Sequence, residues 1–490
     1  MMSLKEIVSL LPVCEVSGFE EKTIIETISM DSRLIEKKSL FFCVPGFTVD
    51  GHDFAQEAVE AGAAALVTDR PIQMSVPVIQ VPDVRRAMAL ISARFYEYPS
   101  QELKMIGVTG TNGKTSVTHF LEQMLELLEV ETGIIGTMYT KYAGKEISSN
   151  NTTPESIVLQ KILRDMRDAE TEAAAMEVSS HALSNGRIHG TRFDIAVYTN
   201  LSQDHLDYHA TMEDYARAKS LLFAQLGSGF VKERQPYSVI NVDDPYSEIM
   251  MEASAAPLIT YGLSKHAAVR AEEVELSGGR SNFYFCAPGI RDHVTLNLPG
   301  RFSIYNALAA ASALYAYGWR WQEIIPLIPL LKGVRGRFEP VFSSAPVHAL
   351  VDYAHTPDSL ENVLQTIKDA AEGKIITVIG CGGDRDRKKR PLMAAIAEKY
   401  SSFTYLTSDN PRTEKPEAII EEMKSGMSGI RYNVIVDREE AINEAVRKAK
   451  PGDVVLIAGK GHETYQEIGR DRIYFDDKKA AEKALKEWVE

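Results

Sequence analysis

Cysteine is scarce in this chain, and the few that occur are scattered. Cys14, Cys43, Cys286 and Cys381 are the four cysteines among 490 residues, and no two of them form a C-x-x-C pair. A disulfide scaffold needs more cysteines at closer spacing, so this usage indicates a reducing compartment.

Basic charge is in deficit as well. The chain has 54 Lys and Arg against 68 Asp and Glu, which gives a net charge of −14. A general nucleic-acid binder needs a basic surface for phosphate contacts, so we expect no nucleic-acid partner. A local basic pocket is compatible with this charge.

Long apolar runs are also missing. No stretch approaches the roughly 18 apolar residues of a membrane span, and we expect no membrane partner. The first residues, "MMSLKEIVSLLPVCEVSGFEE", carry Glu6 and Glu15 and too short an apolar stretch for a signal peptide. The hydrophobic fraction of 44% and the charged fraction of 25% are ordinary for a soluble globular protein. We expect a cytoplasmic protein, and a monomer.

The length predicts about three domains of an α/β protein. We place them at residues 1–98, 99–333 and 334–490, with boundaries in "FYEYPSQELK" and "LKGVRGRFEPV". The middle domain opens with a strand, Met105 to Thr109, and a helix of period near 3.6, which predicts a P-loop-type ATPase domain with a parallel-rich sheet. In the last domain four apolar runs alternate with helical stretches and predict a doubly wound, Rossmann-like sheet: "VHALV", "IITVIG", "FTYLT" and "VVLIAG".

Polar loops follow each of these runs directly. Two further loops, "SSHALSNGR" and "NLSQDHLDYH", follow apolar runs of the middle domain in the same way. Ligands of open parallel sheets bind outside the carboxyl ends of the strands. We therefore expect the four loops of the last domain to line one cleft.

The segment "MIGVTGTNGKTSVTHF" resembles a phosphate loop, but the usual G-x-x-x-x-G-K-[ST] pattern would need glycine where Val108 stands. Backbone N–H groups at a helix start can cradle phosphate. Lys114 would reach the terminal phosphates of ATP, and the Thr115 hydroxyl would bind Mg²⁺. The alternative, a glycine-rich turn that only caps a helix, stays open from the residues alone.

Several single residues carry weaker signals. Glu177 ends an apolar strand and needs either a salt-bridge partner or a cation such as Mg²⁺. His205 follows another strand end, where a single histidine is more often a packing or hydrogen-bonding residue than a metal ligand. Cys381 is expected to be a small apolar strand residue. The run from Arg385 to Arg390 is either a solvated charged face or, through Arg385, a contact with an anionic ligand.

The motifs together resemble one family. "GTNGKTS", "TTPES", "MEVSSHAL", "TNLSQDHLDYH", "YARAKSLLF", "DYAHTPDSL", "GGDRDRKKRPLM", "DNPR" and "GKGHE" occur in one order from about residue 25 to 475. This set resembles the Mur ligases, most closely the members that add 2,6-diaminopimelate to UDP-N-acetylmuramoyl-L-alanyl-D-glutamate. The resemblance implies a UDP-binding, a central ATP-binding and an amino-acid-binding domain, and ligation through an acyl phosphate.

The resemblance also implies cofactors and site residues. It implies ATP, Mg²⁺ at two sites, and a carbamylated lysine (N6-carboxylysine) at Lys219, which the residues alone indicate as a helix-surface lysine. The implied catalytic residues are Lys114, Glu177, His205 and Lys219, and the implied metal ligands are Thr115, Glu177, His205 and carbamylated Lys219. The implied ATP-binding residues are Gly110, Thr111, Asn112, Gly113, Lys114, Thr115, Ser116, Asn306, Arg337 and Asp352. Ser303 stands where the family motif predicts asparagine.

The implied contacts to the UDP-muramoyl dipeptide are Met30, Ser32, Phe47, Thr48, Val49, Asn151, Thr152, Thr153, Ser179, Asn185 and Arg187. Those to diaminopimelate are Arg385, Asp409, Asn410, Pro411, Arg412, Gly459 and Glu463. Diaminopimelate carries a distal carboxylate that lysine lacks, and a guanidinium such as that of Arg412 can pair with it. We expect meso-diaminopimelate to be preferred, with Glu463 at the distal ammonium.

Other functions compete with this interpretation. A lysine-adding relative, a MurF-like ligase and a folylpolyglutamate synthetase belong to the same superfamily. From another class, a nucleotide-hydrolysing switch would need a conventional phosphate loop and an N-K-x-D guanine-binding motif, whereas the chain offers "NVDD" at Asn241 to Asp244.

Overall fold

The chain forms an α/β protein rich in parallel sheet. The structure, a computed structural model, describes residues 1–18, 20–46, 49–149, 151–227, 234–277, 279–469 and 471–488. In these ranges the strands, β1 to β26 in chain order, are Met2–Ser3, Glu15–Ser17, Ile24–Ile25, Thr27–Ser29, Ser39–Phe42, Ala63–Thr68, Val78–Gln80, Lys104–Thr109, Thr132–Ile135, Tyr139–Tyr142, Lys145–Ser148, Ala173–Glu177, Ile195–Tyr198, Tyr237–Asn241, Leu258–Gly262, Val269–Ser277, Arg280–Ala287, Ile290–Leu296, Glu339–Val341, His348–Asp352, Ile375–Ile379, Phe403–Leu406, Tyr432–Val434, Val454–Ala458, Tyr465–Ile468 and Asp471–Tyr474.

The helices of the same ranges are numbered α1 to α15. They are Leu4–Ser9, Ala55–Ala61, Val84–Phe95, Lys114–Leu127, Ser156–Asp168, Ser180–Ser184, Met212–Ala224, Ser247–Ala253, Arg301–Tyr317, Trp321–Ile324, Pro357–Ala370, Lys389–Tyr400, Pro416–Lys424, Arg438–Lys448 and Asp477–Lys486. Short 3₁₀ helices cover Ser32–Leu34, Gly51–Phe54, Pro99–Gln101 and Ile325–Leu330. None of the described helices is long and apolar enough to cross a membrane.

The chain folds into two compact units. The first comprises Met1–Gly107 and Glu129–Asp194, and the second comprises Val108–Leu128 and Ile195–Glu490. Strand β8 therefore enters the second unit at Val108, and α4 belongs to that unit.

The first unit contains a five-stranded sheet of order β2-β7-β6-β5-β4, in which only β2 and β7 pair antiparallel. Helix α3 covers its core with an apolar face at helical spacing, which includes Val84, Ala87, Met88 and Ile91. Strands β9 and β12 of the same unit pair parallel, and β10 and β11 extend them as antiparallel neighbours. The segment around Pro99, predicted as a linker, is a 3₁₀ turn with Pro99 and Ser100 buried.

In the second unit, β13 to β16 are parallel neighbours in chain order, and β17 and β18 continue as antiparallel strands. Helix α9 packs against α4 and against β13 to β16. Its small alanine side chains are buried almost all round, as expected of a helix enclosed by other elements.

The last sheet confirms the predicted doubly wound pattern. Its order is β19-β20-β24-β21-β22-β23, and every neighbouring pair except β19 and β20 is parallel. The four predicted apolar runs are β20, β21, β22 and β24. Because β24 lies between β20 and β21, the loop after it lies beside those that follow the other strands.

Candidate active site

The glycine loop turns sharply between β8 and α4. Gly110 has φ +149° and Gly113 has φ +87°, a left-handed region that favours glycine. A Cβ on Gly110 would lie 1.8 Å from the Thr199 hydroxyl oxygen. Val108 is a buried residue of β8, so the absent glycine of the usual pattern falls within the strand.

The loop that follows β13 holds this turn in place. The Thr111 amide donates to the Asn200 carbonyl at 2.8 Å, and the Asn112 amide donates to Asn200 Oδ1 at 2.9 Å. The Thr199 hydroxyl donates to the Asn112 carbonyl at 2.6 Å. Hydrogen bonds to the loop after β13 therefore fix the conformation of the glycine loop.

The side chains of Lys114 and Thr115 already have partners. Lys114 Nζ donates to the carbonyls of Gly110 and Thr111, both at 2.9 Å. Arg337 Nη2 donates to Thr115 Oγ1 at 3.0 Å. The Lys114 side chain thus folds back over its own loop. The Thr115 hydroxyl is bound by Arg337, which is 222 residues away in sequence.

A cavity of about 620 Å³ adjoins the start of α4. Its lining is mostly apolar and includes a few polar groups, which is typical of a small-molecule binding site. The Asn306 amide oxygen lies 2.6 Å from the position of a Cβ on Gly113, so Asn306 lies against the loop. Ser303 also lines the cavity, and its hydroxyl donates to the Pro299 carbonyl. Residues of the lining include Ser116, Phe120, Phe302, Ser303, Asn306, Val334 and Arg337.

Arg337 and Asp352 lie near each other beside this loop. The Arg337 guanidinium lies 4.5 Å from the ring centre of Tyr353, a cation–π contact. Asp352 accepts a hydrogen bond from the Phe338 amide. Burial raises the pKa of Asp352, although the Arg337 charge opposes the rise.

Lys219 is buried, not on the helix surface that the residues alone indicate. Its side chain, on α7, is 1% exposed and donates to the Gly110 carbonyl at 2.8 Å. Burial, and then the Lys114 ammonium, hold the pKa of Lys219 well below its usual value. The neutral amine is therefore favoured at a site directly beneath the glycine loop.

His205 is half-buried after β13 and lies beside a buried ion pair. Its Nε2 lies 3.4 Å from Asp204 Oδ2, and its backbone has φ +55°. Asp204 also binds Lys389 Nζ at 3.0 Å and lies 3.7 Å from His355 Nε2. Burial alone would raise the pKa of Asp204, but Lys389, then His205, outweigh it and hold that pKa well below its usual value.

The charged run after β21 is divided between surface and interior. Arg385 is exposed and donates to the Asp384 carbonyl, whereas Lys389 and Arg390 are buried. Arg390 pairs with Glu414 and Glu422. The prediction that the run from Arg385 to Arg390 is wholly a solvated charged face is therefore wrong. Cys381 is buried as predicted, and burial raises the pKa of its thiol to about 12.

Glu177 lies in the first unit with two neutral donors. Its carboxylate accepts from the Thr137 amide and the Thr137 hydroxyl, each at 2.9 Å. The Thr152 hydroxyl lies 3.1 Å from that of Thr137, and the Thr153 hydroxyl donates to the Glu177 carbonyl. The motif around Thr152 and Thr153 is thus assembled at the end of β12.

The other residues expected to contact the UDP-muramoyl dipeptide also belong to the first unit. Ser179 donates its amide to Thr153 Oγ1, and Arg187 donates to the Thr153 carbonyl at 3.0 Å. Asn185 caps α6, and Asn151 is exposed. Met30 packs against the sheet core, Ser32 lies 3.3 Å from Glu57, and Val49 is exposed. Phe47 and Thr48 lie outside the described residues.

The loops after β22 and β24 lie side by side in the second unit. Lys460 Nζ donates to Asn410 Oδ1 at 2.8 Å and to Glu463 Oε2 at 3.0 Å, and Asn410 also donates to Glu463. A Cβ on Gly459 would lie 2.5 Å from Asp409 Oδ2. Burial, which Lys460 opposes and Asp409 reinforces, raises the pKa of Glu463.

Arg412, next to Pro411, is half-buried. Its Nε donates to Glu467 Oε2 at 3.0 Å, and its Nη1 donates to the Gly383 carbonyl at 2.7 Å. Arg472 binds the other oxygen of Glu467 at 2.9 Å. Two guanidiniums therefore share the single carboxylate of Glu467.

Sequence reasoning missed Thr137, Lys460 and Glu467, which hold Glu177, Asn410 and Arg412. Within the described ranges, no group of three or more His, Cys, Asp and Glu side chains is arranged to hold a metal ion. A metal at this site would need hydroxyl, phosphate or carbamate oxygens in addition.

The strand, glycine turn and helix place the protein in the class of phosphate-loop α/β proteins. Family models match three successive segments: the Mur ligase family catalytic domain at residues 24–96, the Mur ligase middle domain at 108–314, and the Mur ligase glutamate ligase domain at 336–461. The chain belongs to the Mur ligase family.

Named relatives match along the whole chain. It is 51% identical over 463 residues to the UDP-N-acetylmuramoyl-L-alanyl-D-glutamate–2,6-diaminopimelate ligase of Bacillus velezensis, covering 94% of each chain. It is 49% identical over 488 residues to the ligase of the same name from Geobacillus thermodenitrificans, covering 99% of this chain and 100% of the relative. A solved structure of a ligase of that name has a TM-score of 0.69 at 34% identity and covers 99% of both chains.

Proposed function

We propose that this protein is an ATP-dependent ligase that joins meso-2,6-diaminopimelate to UDP-N-acetylmuramoyl-L-alanyl-D-glutamate in peptidoglycan precursor synthesis. One observation carries the choice of reaction: the chain is 49% identical, over 99% of its length, to a ligase named for it. The phosphate loop and the adjoining cavity support the use of ATP.

The proposed chemistry follows from the poor electrophilicity of a carboxylate. The terminal carboxylate of the dipeptide attacks the γ-phosphorus of ATP, which releases ADP and leaves an acyl phosphate. An amine of diaminopimelate then attacks the acyl carbon, and phosphate leaves the tetrahedral intermediate with formation of the amide. Catalysis of phosphoryl transfer rests on positioning and on charge stabilisation.

Lys114 is the residue that we propose for stabilising the transferred phosphoryl group. Its ammonium now binds two loop carbonyls, and phosphate oxygens would replace them as stronger, charged acceptors. The segment Gly110 to Ser116 is proposed to bind the phosphates through the backbone N–H groups at the start of α4, because the Thr111 and Asn112 amides are already bound to Asn200. Asn306, which adjoins the cavity, is proposed for the adenine, and Arg337 and Asp352 for the ribose and phosphates.

Lys219 is proposed to carry a carbamate. Carbamylation is the attack of a neutral amine on dissolved CO₂ with loss of one proton, and burial beside Lys114 favours the neutral amine. A carbamate would also reverse the sign of the side chain, turning a cation that repels Mg²⁺ into an oxygen ligand. The residues present therefore fit this modification.

Mg²⁺, at two sites, is proposed to be held by Thr115, Glu177, His205 and carbamylated Lys219. When bound, the metal would neutralise charge on the phosphate oxygens. The Thr115 hydroxyl oxygen now accepts only one hydrogen bond from Arg337 among the contacts of the described chain, so a lone pair is available for it. The carboxylate of Glu177 accepts hydrogen bonds from two uncharged groups of Thr137. These donors do not neutralise its negative charge, which a metal ion could do.

Three domains at residues 1–98, 99–333 and 334–490 remain our proposal, supported by the three successive family matches. We assign the contacts to the uridine nucleotide of the substrate to Met30, Ser32, Phe47, Thr48 and Val49, and those to its muramoyl dipeptide to Asn151, Thr152, Thr153, Ser179, Asn185 and Arg187. We further propose that the protein is a monomer, and that it is cytoplasmic because ATP and a UDP-linked precursor are cytoplasmic metabolites.

The preference for diaminopimelate is proposed to rest on Arg412. Arg412 and Arg472 share the single carboxylate of Glu467, so a distal carboxylate would give Arg412 a second anionic partner. Lysine has no such carboxylate and would leave Arg412 without this partner. Glu463, with Asp409 and Asn410, is proposed for the distal ammonium, and Arg385, Pro411 and Gly459 for the remaining contacts.

Phosphate release tests whether the protein is a ligase or a nucleotide-hydrolysing switch. We expect release from ATP to require both the UDP-muramoyl dipeptide and diaminopimelate, with one amide product formed per phosphate. Lys114→Ala should abolish release, and Lys368→Ala, a variant of a helix lysine outside the loop, should not. ATP hydrolysis at full rate without either substrate would contradict the proposal.

A further inference from the structure

In the first unit, Arg85 connects two segments that are far apart in sequence. It lies in the first turn of α3. Its Nη2 donates to the Pro45 carbonyl at 3.3 Å, and its Nη1 lies 3.5 Å from Glu155 Oε2. Both distances are long for a charge-assisted hydrogen bond, and the side chain is 24% exposed. The guanidinium is therefore weakly held and accessible.

Its neighbour Glu155 is already neutralised by Arg187. Arg187 Nη2 lies 2.7 Å from Glu155 Oε1, and Nη1 donates to the Thr153 carbonyl. The Arg187 Nε atom is buried and has no hydrogen-bond partner within the described part of the chain. Two guanidiniums and one carboxylate give this cluster a net charge of +1, with a donor to spare.

A helix start adds to the same electrostatic environment. Helix α5 begins at Ser156, directly after Glu155, and has no side-chain hydrogen bond to cap its first turn. Its free N–H groups and its macrodipole favour an anion at this end. With Arg85 and the spare donor of Arg187, the cluster has the chemistry of an anion site.

We propose that Arg85 binds the diphosphate of the uridine nucleotide substrate. This inference rests on the proposed function, which assigns Val49 to the nucleotide and Thr153 to the muramoyl dipeptide. The diphosphate covalently joins these two parts of the substrate. Arg85 contacts Pro45, in the segment that leads to Val49, and Glu155, two residues after Thr153. Arg85 is thus a cation that contacts a residue near each of the two groups of contacts.

A purely structural role predicts something different. If Arg85 only ties the Pro45 segment to Glu155, its loss weakens all ligands of the first unit equally, whether or not they carry phosphate. If it binds diphosphate, its loss weakens UDP far more than uridine. The ratio of the two dissociation constants therefore separates the alternatives.

The experiment measures UDP and uridine binding to the full-length protein by calorimetry. For the wild type we expect UDP to bind at least about tenfold more tightly than uridine. In Arg85→Ala this ratio should fall about tenfold. Arg86→Ala, which removes the exposed neighbouring arginine of the same helix turn, should leave it unchanged. Arg85→Gln keeps a donor for Pro45 without the charge and should behave as Arg85→Ala, which covers an alanine variant that does not fold.

The binding data distinguish failure of the diphosphate contact from failure of the ligase proposal. A ratio in both Arg85 variants equal to that of the wild type would overturn the diphosphate contact and leave the ligase proposal standing. A wild-type protein that binds neither UDP nor uridine would overturn both.

Discussion

The buried pair of Lys389 and Asp204 gives a quantitative test of how the second unit is held together. Lys389 Nζ lies 3.0 Å from Asp204 Oδ1, and each side chain is 6% exposed. Lys389→Met keeps the apolar stem and removes the ammonium, so the carboxylate stays buried without its main partner. Removing one member of a buried pair costs about 3–5 kcal/mol. Because His205 and His355 also face Asp204, we expect the lower end, about 3 kcal/mol.

Urea unfolding followed by tryptophan fluorescence measures this cost. All three tryptophans, Trp319, Trp321 and Trp488, belong to the second unit, so the signal reports that unit. With an m-value of about 3 kcal/mol/M, the midpoint should fall by on the order of 1 M. Lys388→Met, at the exposed neighbouring position, is the matched control and should shift stability by no more than about 0.5 kcal/mol.

The pH dependence supplies a second check on the same variant. The lowered pKa of Asp204 means that its contribution is present above the unfolded value, about 3.9, and is lost as the pH falls through the folded value. Lys389 is the largest of the charges that lower the pKa of Asp204, so we expect that pKa to rise in the variant and a proton to replace the missing charge in mild acid. The deficit of Lys389→Met should therefore be largest near pH 7 and shrink as the pH falls. Equal midpoints for the two methionine variants at pH 7, or a deficit that grows in acid, would refute the reasoning.

Two further predictions concern the glycine loop. Gly110→Ala places a Cβ 1.8 Å from the Thr199 hydroxyl oxygen, so it should lose about 2 kcal/mol or more of unfolding free energy and weaken ATP binding. Gly289→Ala, with open space around its Cβ, is the control and should retain ATP affinity. Equal ATP affinity in both variants would contradict the packing argument. Lys219→Ala should lose ligation, and acetate in chloride-free buffer, or bicarbonate, should restore part of it by supplying carboxylate oxygens; full activity without either anion would rule out the carbamate.

Much of the fold could be predicted because its strands are continuous apolar runs. The runs that became β21 and β24 are buried on both faces, and those that became β20 and β22 are mostly buried, so each stands out against the polar loop that follows it. The same property placed the loop motifs at strand ends. The order of the strands could not be predicted in this way, since β24 inserts between β20 and β21.

The partners of the candidate site residues had no comparable signal. Lys389 is 185 residues from Asp204, and Arg337 is 222 residues from Thr115. Such pairs arise only when the fold brings distant loops together. Lys219 shows the same limit. A lysine in an amphipathic helix is expected on the exposed face, and only the hydrogen bond to Gly110 reveals that Lys219 faces inward.

The most direct test of the central claim is the rate of ligation with each candidate amino acid. The purified protein is given ATP, Mg²⁺ and UDP-N-acetylmuramoyl-L-alanyl-D-glutamate, with either meso-diaminopimelate or L-lysine, and the amide product is quantified. We predict efficient ligation of diaminopimelate and at least about a hundredfold lower kcat/KM for lysine, since a missing charged partner is worth about 3 kcal/mol. Arg412→Gln should narrow that difference. A wild-type preference for lysine, or no amide product with either amino acid, would contradict the account.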